Sequence, residues 1–96
     1  MMILATYDVS TMDAQGPRRL RRVAKACRDY GQRVQFSVFE IEVDPATWAM
    51  LRQRLIDIIN PDTDSLRFYL LGAQWERKVE HIGAKPALDL KGPLVF

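Results

Sequence analysis

Residues 33–44 read RVQFSVFEIEVD, and the apolar parity changes partway along. Val34, Phe36 and Val38 keep one parity, whereas Phe39, Ile41 and Val43 keep the other. Successive strand side chains point to opposite faces, and a slip of one residue sends every side chain to the wrong face. A single regular strand cannot hold both halves. The stretch therefore predicts a turn or bulge near residues 36–39, giving two short antiparallel strands or one sharply bulged strand.

The rest of the chain supplies the flanking elements. In ILATYDV, residues 3–9, Ile3, Ala5, Tyr7 and Val9 share one face of a strand and Leu4, Thr6 and Asp8 the other. The loop STMDAQG follows, and Pro17 suits the first helical position, where a missing N–H costs nothing. Leu20, Val23, Ala24 and Cys27 recur at helical spacing, with the basic residues mainly opposite. Tyr30-Gly31 is expected to close that helix, with Gly31 as a left-handed cap. Asp44-Pro45 reads as a cap followed by a helix start, Trp48, Leu51, Leu55, Ile58 and Ile59 as the apolar stripe, and Asn60-Pro61 as the end. DSLRFYLLG reads as a strand, KVEHIG as a last short strand, and GPLVF as an apolar terminus.

This order, β-α-β-β-α-β with no internal repeat or linker, predicts an α+β fold: a ferredoxin-like antiparallel sheet with two helices on one face. Residues 1–83 form the expected domain and 84–96 a tail that packs on a dimer mate or another partner. A chain of 96 residues buries only about 60–68% of its unfolded surface, so oligomerisation is a natural supplement to its core. No apolar run reaches the roughly 18 residues of a membrane span. The opening MMILATYDVS has neither the basic region nor the small-residue site of a signal peptide, which points to the cytoplasm. A single cysteine, Cys27, excludes an internal disulfide and a Cys-rich zinc site.

Net charge is only +2, yet seven of the fourteen Lys and Arg fall within residues 18–33, opposed there by Asp29 alone. Arg18, Arg19, Arg21, Arg22, Lys25, Arg28 and Arg33 build a positive face. Like charges at helical spacing weaken a helix by a few tenths of a kcal/mol per pair, and a face tuned for stability alone would interleave Glu. Phosphate binding is the favoured reading, against a merely solvated face.

Asp8 has two readings. A strand-end carboxylate bonded to nearby backbone is one. The other is a metal ligand at the sheet edge, since magnesium takes hard oxygen ligands and often only one or two carboxylates, with water and phosphate completing its shell. One chain shows no second carboxylate in a paired motif, and the loop residue Asp13 is a weak candidate. A two-fold dimer would bring two copies of Asp8 to one ion. His81 is alone and reads as a strand residue. Cys27 and Trp48 read as core, Tyr7, Phe68 and Tyr69 as strand packing, and Trp75 as a contact for a partner. Phosphate-binding glycine loops, nucleophile elbows and zinc spacings are absent from the sequence.

Together, YDVS ending the first strand, the Arg-rich first helix, YGQRVQFSVFEIEVD and DTDSLRFYLLG resemble the small CRISPR-associated endonucleases, the family of the second Cas protein. The likeness covers about residues 2–83. It implies a homodimer whose last strand crosses to the other subunit's sheet, and a role in spacer acquisition beside the integrase subunit. It also implies a Mg2+-dependent endonuclease acting on RNA or double-stranded DNA. By the motif, Asp8 is the catalytic and metal-binding residue, shared with Asp8 of a second copy. Arg18, Arg19, Arg22 and Arg33 would hold the phosphate backbone and Ser10 would add a hydrogen bond. Tyr7, Ser37 and Phe39 would support the centre. The rival reading is a non-catalytic dimeric scaffold that binds nucleic acid and bridges integrase subunits. A third class, a small-ligand regulatory domain, would need a pocket signature that the sequence does not carry.

Overall fold

The parity switch becomes a hairpin. The computed structural model describes residues 1–72 and 78–84. β1 (Met2–Asp8) leads to α1 (Gly16–Tyr30), and the hairpin is β2 (Gly31–Gln35) followed by β3 (Val38–Glu42). α2 (Pro45–Ile58), β4 (Ser65–Leu71) and β5 (Lys78–Gly83) complete the described chain. The pairing register shifts between Arg33 and Gln35, so both anticipated devices, a turn at Phe36-Ser37 and a bulge, occur together. The bulge absorbs the extra residue that separates the two apolar parities.

All five strands pair antiparallel in the order β2-β3-β1-β4-β5. The first four follow the ferredoxin-like arrangement. KVEHIG forms β5 on β4 of its own chain, with Leu66 opposite Ile82 and Phe68 opposite Glu80. Glu80 also receives two hydrogen bonds from Arg52 of α2, at 2.5 and 2.8 Å. That forked pair ties the edge strand to the helical layer. Trp75 and the GPLVF terminus lie outside the described residues.

One side of the sheet carries the core. Ile3, Ala5 and Tyr7 of β1, Phe39 and Ile41 of β3, and Leu66 and Phe68 of β4 are buried against Val23, Ala26 and Cys27 of α1 and Trp48, Leu51 and Leu55 of α2. Each large apolar side chain so buried contributes about 1.5–3 kcal/mol. Trp48 meets Phe68 edge-on at 4.8 Å and 88°, the arrangement that ring quadrupoles favour. α2 starts as the sequence requires, with the Asp44 carboxylate accepting from Thr47 N at 2.6 Å.

Gly31 departs from expectation. Its φ of −151° is extended, so it is not a left-handed cap and begins β2 directly. The glycine is required for space: a Cβ would stand 2.5 Å from the Glu40 carbonyl oxygen and 2.6 Å from Ile41 Cγ1. The opposite side of the sheet, bearing Leu4, Thr6 and Asp8 of β1, has Val38 and Glu40 opposite on β3 and Arg67 and Tyr69 opposite on β4.

Candidate nucleic-acid interface and metal site

Asp8 is the last residue of β1, exposed and in register with Ser65 of β4. The chain turns there because Val9 goes back into the core while the strand ladder ends. The Ser10 N–H then donates to Asp64 Oδ1 at 2.9 Å.

Asp64 organises this end of the sheet. It is fully buried and accepts from four residues: Ser10 N, Asn60 N at 2.9 Å, Thr63 Oγ1 at 3.1 Å and Arg19, through Nε at 2.8 Å and Nη2 at 3.4 Å. Burial pushes its carboxyl up, but the bonds from Arg19, Asn60, Ser10 and Thr63 outweigh that and hold it below the ordinary value. Arg19 reaches on to Asp13, with Nη2 to Oδ2 at 2.8 Å and Nη1 to Oδ1 at 3.0 Å. That hydrogen bond lowers the Asp13 carboxyl, and Arg19 itself is raised by its bonds to Asp13 and Asp64. Gly16 closes the loop beneath them, because a Cβ there would collide with the Ser10 carbonyl oxygen.

Arg19 therefore differs from its neighbours on α1. Its side chain is only 12% exposed and its guanidinium is committed to two carboxylates, so it braces the Ser10–Gly16 loop. Arg18, Arg21 and Arg22 are exposed and make no ion pair within the described residues. Lys25 pairs at 3.3 Å with Asp29, one turn on. The outward face of α1 is thus a row of available cations, and no acid in the first turn offsets it.

Arg33 belongs to a different group. It projects from β2, with its guanidinium carbon 5.2 Å from the Phe39 ring centre and 5.8 Å from that of Phe36. Phe39 in turn stacks on Tyr7, with centroids 6.2 Å apart and planes 23° from parallel. Burial raises the Tyr7 hydroxyl, against the opposing charge of Arg33. Ser37 fixes the hairpin to β1, its carbonyl accepting from Tyr7 N at 3.2 Å. Tyr7, Arg33, Ser37 and Phe39 therefore come together beside α1, while Arg19 and the Ser10 backbone N–H join a separate network around Asp64.

Among the described residues, no three His, Cys, Asp or Glu side chains converge to hold a metal. Asp13 and Asp64 are engaged by Arg19, and Asp8 is exposed at the end of β1. One exposed carboxylate from each chain fits magnesium only as part of a shared shell, since that ion is held by one or two carboxylates with water and phosphate oxygens. The sequence reading did not single out Asp64. It lies in PDTD, where Asp62 and Asp64 are equally plausible turn residues. Its spacing just before an apolar strand was the available signal.

Residues 1–79 match the family described as CRISPR associated protein Cas2. The chain belongs to the Cas2 family. A Cas2 relative from Rhodospirillum rubrum, called a CRISPR-associated endoribonuclease, is 67% identical over 95 residues, covering 99% of this chain and all of the relative. A Cas2 from Halalkalibacterium halodurans, called a CRISPR-associated endonuclease, is 54% identical over 96 residues and covers both chains fully. The crystal structure of Streptococcus pyogenes Cas2 superposes with a TM-score of 0.69 at 59% identity, covering 78% of this chain and 90% of that one. Among the described residues, no helix is long and apolar enough to cross a membrane.

Proposed function

We propose that the chain is one subunit of a homodimeric, Mg2+-dependent endonuclease of CRISPR spacer acquisition, acting in the cytoplasm on the phosphodiester backbone of RNA or double-stranded DNA. The observation that carries this reading is the position of Asp8: an exposed carboxylate at the end of a buried strand, at the edge where the Ser10–Gly16 loop leads into the basic helix α1. The naming of relatives as endoribonuclease and endonuclease agrees with it.

Asp8 and its equivalent in a second copy would hold the ion, which when bound supplies charge neutralisation on phosphoryl oxygens and lowers the pKa of a water. The protein's own residues do the remainder. Arg18 and Arg22 bind successive phosphates from the outward face of α1, and Arg33, beside the Phe36 and Phe39 rings, binds from β2. The Ser10 hydroxyl donates toward the same backbone. Arg19 acts indirectly, by keeping the loop between Asp8 and α1 in place.

One surface supports a dimer. The sheet face away from the helices carries Leu4, Val34 and Val38 around a shallow apolar cavity of about 240 Å³. Val34 is 54% exposed, and a second copy would cover this surface. β5 pairs with β4 of its own chain, and residues 85–96 are proposed to contribute to the dimer. Deleting residues 85–96 should turn the dimer into a monomer in sedimentation velocity. A dimer that survives the deletion would leave the sheet face as the interface.

A scaffold reading has its own support: the basic face of α1 is extensive, whereas among the described residues Asp8 is the one carboxylate assigned to the metal. In that reading the dimer bridges integrase subunits and cuts nothing. Asp8→Asn separates the two, since it keeps shape and removes charge. The enzyme loses magnesium-dependent cleavage while keeping its affinity for nucleic acid. A scaffold cuts in neither form and supports integrase-dependent spacer capture in both.

A further inference from the structure

Phe36 is 80% exposed at the tip of the β2–β3 hairpin, at a position the fold does not require to be aromatic. Two-residue hairpin turns favour Asn, Asp and Gly, and a solvated phenyl ring contributes nothing to this core. Beside it runs a cleft of about 480 Å³ between the hairpin and α1. That is within the roughly 300–1,000 Å³ of ordinary ligand sites.

The cleft has three kinds of wall. Leu20 and Ala24 of α1 line it with apolar surface. Arg21, Lys25 and Arg28 line it from the same helix, one turn apart, so their charges follow the groove. The Arg33 guanidinium carbon lies within 5.8 Å of the centres of both the Phe36 and Phe39 rings. A planar cation beside an exposed ring makes a shelf that accepts another flat, π-rich group.

We propose that this cleft is a stacking subsite for an unpaired nucleotide of single-stranded nucleic acid, with the base on Phe36 and its flanking phosphates on Arg21, Lys25 and Arg28. Duplex bases are already stacked on their neighbours and expose no π-face, so a duplex gains nothing from Phe36. It is held instead by the Arg18 and Arg22 side of the helix. A frayed end, an overhang or a loop presents a free face and binds at both places. The stacking element is a single hydrocarbon ring, which prefers no base, so the subsite is sequence-tolerant. The inference rests on the proposed nucleic-acid function but not on catalysis: it needs backbone binding, and no metal.

The test uses the full-length protein in chelator, so that cleavage plays no part. The probes are a short single strand carrying one 2-aminopurine and the same sequence as a blunt duplex. Phe36→Ala should weaken the single strand by about tenfold and the duplex by less than about twofold. Phe36→Trp should restore single-strand affinity and quench 2-aminopurine emission at least as strongly as wild type. The ring lies in solvent, so both variants should keep the wild-type melting temperature. If wild type binds duplex but not single strand, the subsite fails while the wider nucleic-acid reading stands. If it binds neither, both fail. Equal losses on the two probes, or no loss with Phe36→Ala, would overturn the proposal.

Discussion

Arg19 Nε lies 2.8 Å from Asp64 Oδ2, joining the first turn of α1 to the residue just before β4 across 45 positions of sequence. Asp64 is fully buried, and two backbone N–H groups and one hydroxyl share its oxygens. Removing one partner of such a buried pair strands the rest, which is typically far more costly than the net worth of the pair.

Asp64→Ala should therefore destabilise the fold by about 3 kcal/mol, measured by urea denaturation. The same carboxylate makes stability depend on acid. Its folded-state pKa is depressed from 3.8, so its contribution is fully present above that value and is lost as pH falls through the lower folded value. Asp13, Asp44 and Glu80 are lowered as well and act in the same direction. Stability should fall steeply below about pH 4, and the slope should be shallower in Asp64→Asn. An unchanged slope in that variant would assign the acid sensitivity to the other three.

The arginines of α1 should divide into two classes. Arg18→Ala and Arg22→Ala should each reduce the salt dependence of duplex binding by a slope of about 1, with an unchanged melting temperature. Affinity should fall equally for unrelated sequences, because phosphate contacts carry no sequence information. Arg19→Ala should lower the melting temperature instead, because its guanidinium holds Asp13 and Asp64. A purely electrostatic loss at Arg19, with full stability, would return it to the phosphate-binding set.

These classes mark the limit of what the sequence alone discloses. The order of strands and helices along the chain and the hairpin follow from local signals: apolar parity, the Asp44-Pro45 start and the spacing of Trp48, Leu51 and Leu55. Such patterns repeat within a few residues and need no tertiary context. Arg19 looks like Arg18 in the one-dimensional chain. Only folding places Asp64 beside it, because α1 and the start of β4 meet at the same end of the sheet. Gly31 departs from its sequence pattern for a similar reason. A glycine after a helix suggests a left-handed cap, whereas here the close approach of Glu40 and Ile41 on the neighbouring strand decides its identity. Phe36 reads as one of three alternating apolar residues until the turn leaves its ring in solvent.

In the proposed dimer, Asp8 forms half of a metal site completed by a second copy. Two carboxylates brought together repel unless a cation lies between them, and a divalent ion with oxygen distances of about 2.0–2.1 Å needs both close at hand. Manganese is a paramagnetic substitute for magnesium, and its binding to the dimer is read directly by electron paramagnetic resonance. With a short duplex present, the wild-type protein should bind one strongly held ion for every two chains, and Asp8→Asn should bind none while keeping the duplex. One ion per chain, or an ion retained in Asp8→Asn, would contradict the shared site.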